Sequence, residues 1–112
     1  MSVSIRDEPF DPWAELAAYE RARFPTRGRF GASASFVGTM RDLNEGDSVT
    51  QMRLEHYPGM TERHLDAICA AATARWQLLD TLVIHRVGLL LPGDPIVLVA
   101  AWSAHRAEAF TA

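Results

Sequence analysis

The stretch Ile96-Val97-Leu98-Val99-Ala100-Ala101-Trp102 is an uninterrupted apolar run between Pro95 and Ser103. Short apolar runs that follow a turn signal and contain β-branched residues are typical of a buried β-strand. Because this run has no polar face, we expect it to lie inside a sheet with both faces covered, by the core and by a helix or a second subunit. The run is far too short to span a bilayer.

The segments around this strand predict further strands and helices. Pro92-Gly93-Asp94-Pro95 has the residues of a tight turn, and residues 82–87 form a β-branched strand before it. Residues 58–76 carry apolar side chains at helical spacing and are the clearest helix. A last helix is expected over residues 103–110, with Ser103 as its N-cap.

The N-terminal half continues this mixture of strands and helices. Residues 3–6 are a short strand, and Asp11-Pro12 supplies the N-cap and first-position proline of a helix that ends at about Arg23. Residues 31–40 form a strand of small residues, and residues 49–57 alternate between apolar and polar side chains. We predict that these two strands form a β-hairpin whose loop carries Arg41, Asp42 and Asn44.

The composition bounds the class of protein. With 112 residues, 48% hydrophobic and 22% charged, the chain is expected to form one domain over residues 1–112. A net charge of −3 gives no reason to expect a nucleic-acid-binding face. The single cysteine, Cys69, excludes an internal disulfide and is expected to be a buried structural thiol. The first residues lack the apolar run of a signal peptide, so we expect a cytoplasmic protein that does not enter the membrane.

The chain contains 11 arginines and no lysine. Arginine carries a permanent charge and a planar fork of donors, so it binds phosphate or carboxylate but does not readily act as a base or nucleophile. Codon preference in a GC-rich genome explains the bias by itself. The chain is nevertheless equipped to hold anions, and it has no side-chain amine for covalent or base chemistry.

Arg41 follows Phe36-Val37-Gly38-Thr39-Met40, where a glycine-containing strand meets a loop. A guanidinium at that point is placed to hold a phosphate or carboxylate through two hydrogen bonds. The alternative, favoured by spacing alone, is a solvated arginine paired with Asp42 or Glu45.

A second anion site is predicted at Ser103-Ala104-His105-Arg106, where a buried strand meets a helix. Backbone N–H groups and two basic side chains converge at such a junction, and histidine also transfers protons near neutral pH. In the alternative interpretation His105 only packs and Arg106 pairs with Glu108. Both interpretations stay open on the sequence alone.

The other histidines and the tryptophans favour structural roles. His85 and Arg86 are neighbours in one strand and point to opposite faces, so a shared site is not expected. His56 and His64 have no third ligand nearby, and we expect neither a metal nor a cofactor. Core or interface positions are expected for Trp13, Trp76 and Trp102.

Five motifs, taken in order along the chain, resemble those of the large, catalytic subunits of molybdopterin synthases. They are Phe36-Val37-Gly38-Thr39-Met40-Arg41-Asp42-Leu43-Asn44-Glu45-Gly46, Leu54-Glu55-His56-Tyr57-Pro58-Gly59-Met60, Ile84-His85-Arg86-Val87-Gly88, Pro92-Gly93-Asp94 and Ser103-Ala104-His105-Arg106-Ala107-Glu108-Ala109-Phe110. The similarity extends from about residue 30 to the last residue.

The resemblance implies an α+β fold of the α/β-hammerhead type, with an antiparallel sheet and packed helices, built as a homodimer. It implies a ubiquitin-like small subunit as partner, whose C-terminal Gly-Gly thiocarboxylate transfers sulfur to cyclic pyranopterin monophosphate to make the molybdopterin dithiolene. By motif, Arg41, His105 and Arg106 bind the anionic part of this substrate, and Phe36 helps to line the pocket.

The resemblance also implies that the essential lysines of the family lie downstream of the helix that carries His105 and Arg106. Because residues 1–112 contain no lysine, the catalytic residues stay unassigned. Two other hypotheses remain open. One is a non-catalytic paralogue that keeps dimerisation and binding of the small subunit or an anion, and the other is an α+β module for an unrelated anion.

Overall fold

The structure is a computed structural model that describes residues 1–44, 47–48 and 51–112. The strands are β1 Ser2–Arg6, β2 Ala32–Thr39, β3 Leu43–Asn44, β4 Asp47–Ser48, β5 Met52–Leu54, β6 Asp80–Arg86, β7 Gly88–Leu90 and β8 Pro95–Ser103. The helices are α1 Pro12–Arg23, α2 Met60–Trp76 and α3 Arg106–Thr111. None of the helices in these described ranges is both long and apolar enough to cross a bilayer.

The central sheet has four strands in the order β1-β6-β8-β2. β1 runs parallel to β6, whereas β6 and β2 run antiparallel to β8 on its two sides. The apolar run over residues 96–102 is therefore an interior strand, as predicted. The pairs β3–β4 and β5–β7 form two smaller sheets. The predicted α+β class with a mainly antiparallel sheet is confirmed.

One face of the sheet packs against α1 and forms the hydrophobic core. Successive core-facing residues of β8, namely Leu98, Ala100 and Trp102, are 0%, 1% and 0% exposed. Burial of a large apolar side chain stabilises a fold by about 2–3 kcal/mol, so this face contributes much of the driving force for folding. The same cluster contains Phe10, Leu82 and Ile84.

The ends of α1 fix its position on the sheet. At its start the Asp11 carboxylate accepts hydrogen bonds from the backbone N–H groups of Trp13 and Ala14, at 3.0 and 3.3 Å, and Pro12 occupies the first turn. Near its end, Glu20 accepts a hydrogen bond of 3.0 Å from the indole N–H of Trp102. The predicted cap is confirmed, and the C-terminal end of α1 lies where β8 ends.

The opposite face of the sheet is covered only in part. α2 lies over β1 and β6, and its Cys69 is buried, as predicted. A cavity of about 200 Å³ separates this helix from β8, where Val99 remains 41% exposed. Within one subunit this face of the apolar strand is not fully covered, so its predicted coverage by a second subunit stays a prediction.

The predicted hairpin between residues 31–40 and 49–57 is wrong. β2 pairs with β8 along its whole length, and β5 pairs with β7. Both partners are distant in sequence, so adjacency along the chain was misleading. Residues 41–42 precede the short β3–β4 hairpin, in which Asn44 lies on β3. The alternation of Met52 and Leu54 inward with Arg53 outward is confirmed.

Three smaller expectations also need correction. Ser103 is the last residue of β8 and not an N-cap, because His105 holds the cap position of α3. α2 begins at Met60, since Gly59 is its N-cap and the Glu62 carboxylate accepts a hydrogen bond of 2.9 Å from the Gly59 backbone N–H. Trp13 is 62% exposed, so it does not belong to the core of the subunit, and its alternative interface position stays a prediction.

Candidate functional site

The junction between β8 and α3 is held in a fixed shape by two small residues. The Ser103 carbonyl accepts a hydrogen bond of 2.9 Å from the Gly31 backbone N–H, and the buried Ser103 hydroxyl donates to the His105 carbonyl. A Cβ atom on Gly31 would lie 1.9 Å from the Ala104 carbonyl oxygen. Only glycine therefore allows the chain just before β2 to approach this junction so closely.

His105 and Arg106 are both exposed at this junction, and a shallow depression there is lined by Gly31 and residues 104–107. No carboxylate among the described residues lies within ion-pair distance of either side chain. The alternative in which Arg106 pairs with Glu108 is therefore wrong in this structure, and one oxygen of the Glu108 carboxylate is buried without a described partner. The two basic side chains are available to an anion.

Two backbone hydrogen bonds fix the position of Met40, the residue before Arg41. The backbone N–H of Met40 donates to the Asp94 carbonyl at 3.0 Å, and the Gly93 N–H donates to the Met40 carbonyl at 2.8 Å. The turn predicted at residues 92–95 forms one position earlier, at residues 91–94, because Pro95 already belongs to β8. Gly93 has φ +91° in this turn, and the Asp94 carboxylate accepts from the Leu91 N–H. Proline followed by glycine at the centre is the pattern of a type II turn.

Arg41 itself is exposed, and no described carboxylate forms an ion pair with it. The predicted alternative partner Asp42 does not pair with it, and Glu45 lies outside the described residues. A register shift between Gly38 and Thr39, opposite the start of β8, sets the direction in which the chain leaves β2. Such irregularities often redirect a side chain next to a binding site.

The structure does not bring the two predicted anion sites together in one subunit. Ala32 pairs with Ser103 and Thr39 pairs with Pro95, so Arg41 and the His105-Arg106 pair lie beyond opposite ends of β2. At about 3.3 Å per residue, the strand alone separates them by about 23 Å. This separation exceeds what one small ligand and two arginine side chains bridge.

Phe36 lies between these ends, near the middle of β2. Its ring is 63% exposed, and it lines a groove on the incompletely covered face together with Val99 and Phe110. Gly38 leaves room for the ring, since a Cβ there would lie 3.5 Å from Phe36 Cε1 and 3.1 Å from Val97 Cγ1. The aromatic side chain is thus accessible, as its predicted role requires.

The remaining residues considered from the sequence have structural positions. His85 is half-buried, with Nδ1 2.7 Å from the Arg86 carbonyl oxygen, as predicted. His56 Nε2 lies 2.7 Å from Glu62 Oε1, and this hydrogen bond is the main cause that lowers the pKa of Glu62. Within the described part of the chain, no three potential metal ligands lie together.

The sequence did not reveal the importance of Asp80. Its side chain is fully buried and binds the N-terminal amine of Met1, Arg23 Nε at 2.6 Å and the Tyr19 hydroxyl at 2.9 Å. Burial alone raises the pKa of Asp80, but these hydrogen bonds outweigh it and hold the pKa below its ordinary value. Burial and the bond to Asp80 raise the pKa of Tyr19 to about 12. This cluster fastens α1 to the sheet.

Known proteins resemble this chain over nearly its whole length. The family described as "MoaE protein" matches residues 5–112. The molybdopterin synthase catalytic subunit of Ralstonia nicotianae is 53% identical over 111 residues, which are 99% of this chain and 61% of that protein. The chain therefore spans less than two thirds of this relative's length.

Solved structures share the fold. The molybdopterin biosynthesis MoaE protein from Burkholderia ambifaria is 48% identical and superposes with a TM-score of 0.82 over 99% of this chain and 69% of that one. A complex of subunits 1 and 2 of the molybdopterin-converting factor from Helicobacter pylori matches at 19% identity, with a TM-score of 0.78 over 97% of this chain and 70% of that one. The second likeness bears on the fold alone. Because the family match extends from residue 5 to residue 112 and the fold agrees with it, the chain belongs to the MoaE protein family.

Proposed function

We propose that the chain acts in molybdenum cofactor biosynthesis, as the substrate-holding part of the catalytic subunit of a molybdopterin synthase. In this reaction a thiocarboxylated small subunit transfers sulfur twice to cyclic pyranopterin monophosphate, which forms the molybdopterin dithiolene. The observation that carries the proposal is the exposed His105-Arg106 pair on a rigid junction, with no described acid paired to it. The family membership and the name of the Ralstonia relative support it.

The proposed roles follow from the chemistry of the side chains. Arg106 and Arg41 hold the phosphate group of the substrate, because a guanidinium forms paired, charge-assisted hydrogen bonds to phosphate oxygens. His105 adds a third donor, and Phe36 offers an aromatic face to the pterin rings. None of these groups replaces a lysine amine, so we expect residues 1–112 to bind the substrate without completing sulfur transfer.

We further propose that the working site forms between two copies of the chain. One copy supplies Arg41 and the other supplies His105 and Arg106, because a single subunit keeps these groups about 23 Å apart along β2. The exposed apolar side chains of Phe36, Val99 and Phe110 favour coverage of this face by a second copy. A homodimer is expected by light scattering at micromolar concentration, and a monomer would contradict this arrangement.

The other partner in the proposal is the ubiquitin-like small subunit. The thiocarboxylate at its Gly-Gly C-terminus is the sulfur donor, so its tail has to reach the bound pyranopterin. We place this assembly in the cytoplasm. Co-purification of the two subunits as a complex tests the pairing.

Substrate binding tests the proposal most directly. Cyclic pyranopterin monophosphate is titrated into the wild-type chain and into Arg41→Ala, Arg106→Ala and, as a control on α2, Arg63→Ala. Loss of a charged hydrogen bond is expected to weaken binding about 10- to 100-fold in the first two variants and to leave the control unchanged. If cyclic pyranopterin monophosphate does not bind to the wild-type chain, the proposal is wrong.

Mixed dimers test whether the site is shared. Arg41→Ala and Arg106→Ala chains each lack a complete site, but a dimer with one of each regains one site in which both arginines are present. Random mixing is expected to restore binding to about one quarter of all sites. If both arginines act within one subunit, mixing restores none.

A non-catalytic paralogue is the second candidate, in which the arginines bind an anion and no side-chain amine of residues 1–112 takes part in chemistry. The intact mass of the protein purified from its natural source separates the two. A mass of 12.4 kDa, matching residues 1–112, supports the paralogue. A larger mass together with dithiolene formation, when the protein is incubated with thiocarboxylated small subunit and pyranopterin, supports the catalytic subunit.

A further inference from the structure

Charge is distributed unevenly along α1 and the loop after it. The segment that leads into the helix and its first turn are acidic, with Asp7, Glu8, Asp11 and Glu15. The last turn and the following loop are basic, with Arg21, Arg23, Arg27 and Arg29. Because Glu20 binds Trp102 at the end of β8, the basic half lies at the same end of the molecule as His105 and Arg106. A chain with a net charge of −3 thus has one strongly basic end.

The basic loop continues directly into the His105-Arg106 depression. A second surface depression is lined by Arg21, Thr26, Arg27 and Phe30, and the next residue, Gly31, lines the depression at His105. Gly31 is also hydrogen-bonded to Ser103. Arg29 is two residues from Gly31, so their Cα atoms are at most about 7 Å apart. The two depressions are therefore neighbours that meet at Phe30 and Gly31, and Arg29 belongs to the loop that leads into them.

Most of this positive charge is not neutralised. Arg23 pairs with the buried Asp80, but within the described residues no carboxylate forms an ion pair with Arg21, Arg27 or Arg29. All three side chains are exposed. Two acids also lie at this end, Glu108 and Glu20, and Glu20 lines the same depression as Arg21 and Arg27. Together with Arg106, the three arginines outnumber these two acids. The potential near the mouth of the depression is therefore positive.

We infer that Arg21, Arg27 and Arg29 form an anion-capturing surface, which draws a small phosphate-bearing molecule to His105 and Arg106. The inference rests on the proposed function and extends it, because these three residues act by long-range attraction during the encounter and not by contact with the bound substrate. Clusters of like charge beside a site raise the association rate of an oppositely charged ligand, and salt suppresses this effect.

The expected size follows from Coulomb's law. A unit charge about 10 Å from a phosphate in water changes the encounter rate nearly twofold at about 10 mM ionic strength, where the Debye length is about 30 Å. Removal of two such charges is expected to slow association about threefold. At about 1 M salt, where the Debye length is about 3 Å, the difference is expected to disappear.

The experiment compares Arg27→Gln/Arg29→Gln with a charge-matched control, Arg53→Gln/Arg63→Gln, whose residues lie on β5 and in the first turn of α2, away from the end of β8. Stopped-flow association of cyclic pyranopterin monophosphate is measured from about 10 mM to about 1 M ionic strength. The first variant is expected to associate about threefold more slowly at low salt, with dissociation unchanged. The control is expected to match the wild-type chain.

The outcomes separate this inference from the proposed function. If the wild-type chain binds the pyranopterin but both double variants associate equally fast at low salt, the capturing surface is refuted and the proposed function stands. If the wild-type chain does not bind the pyranopterin, the proposed function fails. Inorganic pyrophosphate is then the probe: weaker binding at low salt by the first variant than by the control supports the surface, and equal binding refutes it.

Discussion

Replacement of Gly31 by alanine tests whether close backbone contact builds the His105-Arg106 junction. The added Cβ would lie 1.9 Å from the Ala104 carbonyl oxygen and 2.9 Å from its carbon. Both neighbours are backbone atoms, so relief requires a shift of about 1 Å in the strand or in the junction. Such a shift also strains the bond from the Gly31 N–H to the Ser103 carbonyl. We expect Gly31→Ala to lower the free energy of unfolding by about 2–4 kcal/mol.

Gly28→Ala is the matched control for this substitution. Gly28 has φ +82°, and no described atom lies within 4 Å of the position that a Cβ would take there. Alanine at this position therefore introduces backbone strain without a clash. A loss of about 1 kcal/mol is expected for the control. Urea unfolding measures both, and pyranopterin titration is expected to show weaker binding for Gly31→Ala alone. The reasoning is refuted if Gly31→Ala loses no more stability than Gly28→Ala and binds as the wild-type chain does.

Four further substitutions test the surroundings of the site. Folding lowers the pKa of Asp80, so this carboxylate stabilises the fold fully above its pKa in the unfolded chain and loses that effect as pH falls through its pKa in the folded chain. Asp80→Asn is expected to reduce the free energy of unfolding at pH 7 by about 1–3 kcal/mol and to make that free energy depend less on pH in the acid range, as urea titrations at several pH values measure. Folding also lowers the pKa of Glu62, so its contribution to stability is likewise lost as pH falls. Glu62→Gln is expected to make the free energy of unfolding depend less on pH below about pH 4.5, and an unchanged dependence would contradict the His56 contact. The pKa of Tyr19 is raised to about 12, so the neutral hydroxyl stabilises the fold below its unfolded pKa of 10.0, and this stabilisation is lost as pH rises through the folded pKa. In an ultraviolet titration, the ionisation step of Tyr19 is expected to be missing from Tyr19→Phe. Gln77 caps α2 with φ 53°, so Gln77→Gly is expected to raise the urea midpoint by the equivalent of about 0.5–1 kcal/mol, and a lower midpoint would count against strain there.

Local patterns predicted the elements well, because their causes lie within a few residues. Asp11-Pro12 caps α1 as expected, and the apolar run over residues 96–102 is the interior strand β8. The turn at residues 91–94 forms around a glycine with positive φ. In each case neighbouring side chains and backbone groups are sufficient to determine the conformation.

Pairing over long distances could not be predicted in the same way. The strand over residues 32–39 has a near neighbour in sequence, but it pairs with residues 95–103, more than fifty positions away. The partners of the buried Asp80 carboxylate, Arg23 and Tyr19, are 57 and 61 residues distant. Alternation identifies which face of a strand is apolar but does not identify the strand beside it. For the same reason, Arg41 and Arg106 gave similar local signals although they lie at opposite ends of β2.

This separation has a thermodynamic consequence for the proposed shared site. If Arg41 of one copy and Arg106 of the other hold the same phosphate, only the dimer contains a complete site. Ligand that binds the dimer but not the monomer stabilises the dimer by mass action, and dilution of the protein weakens apparent binding. A site within one subunit shows neither effect. Ligand affinity measured across the monomer–dimer transition therefore reports on the geometry of the site, independently of any sulfur transfer.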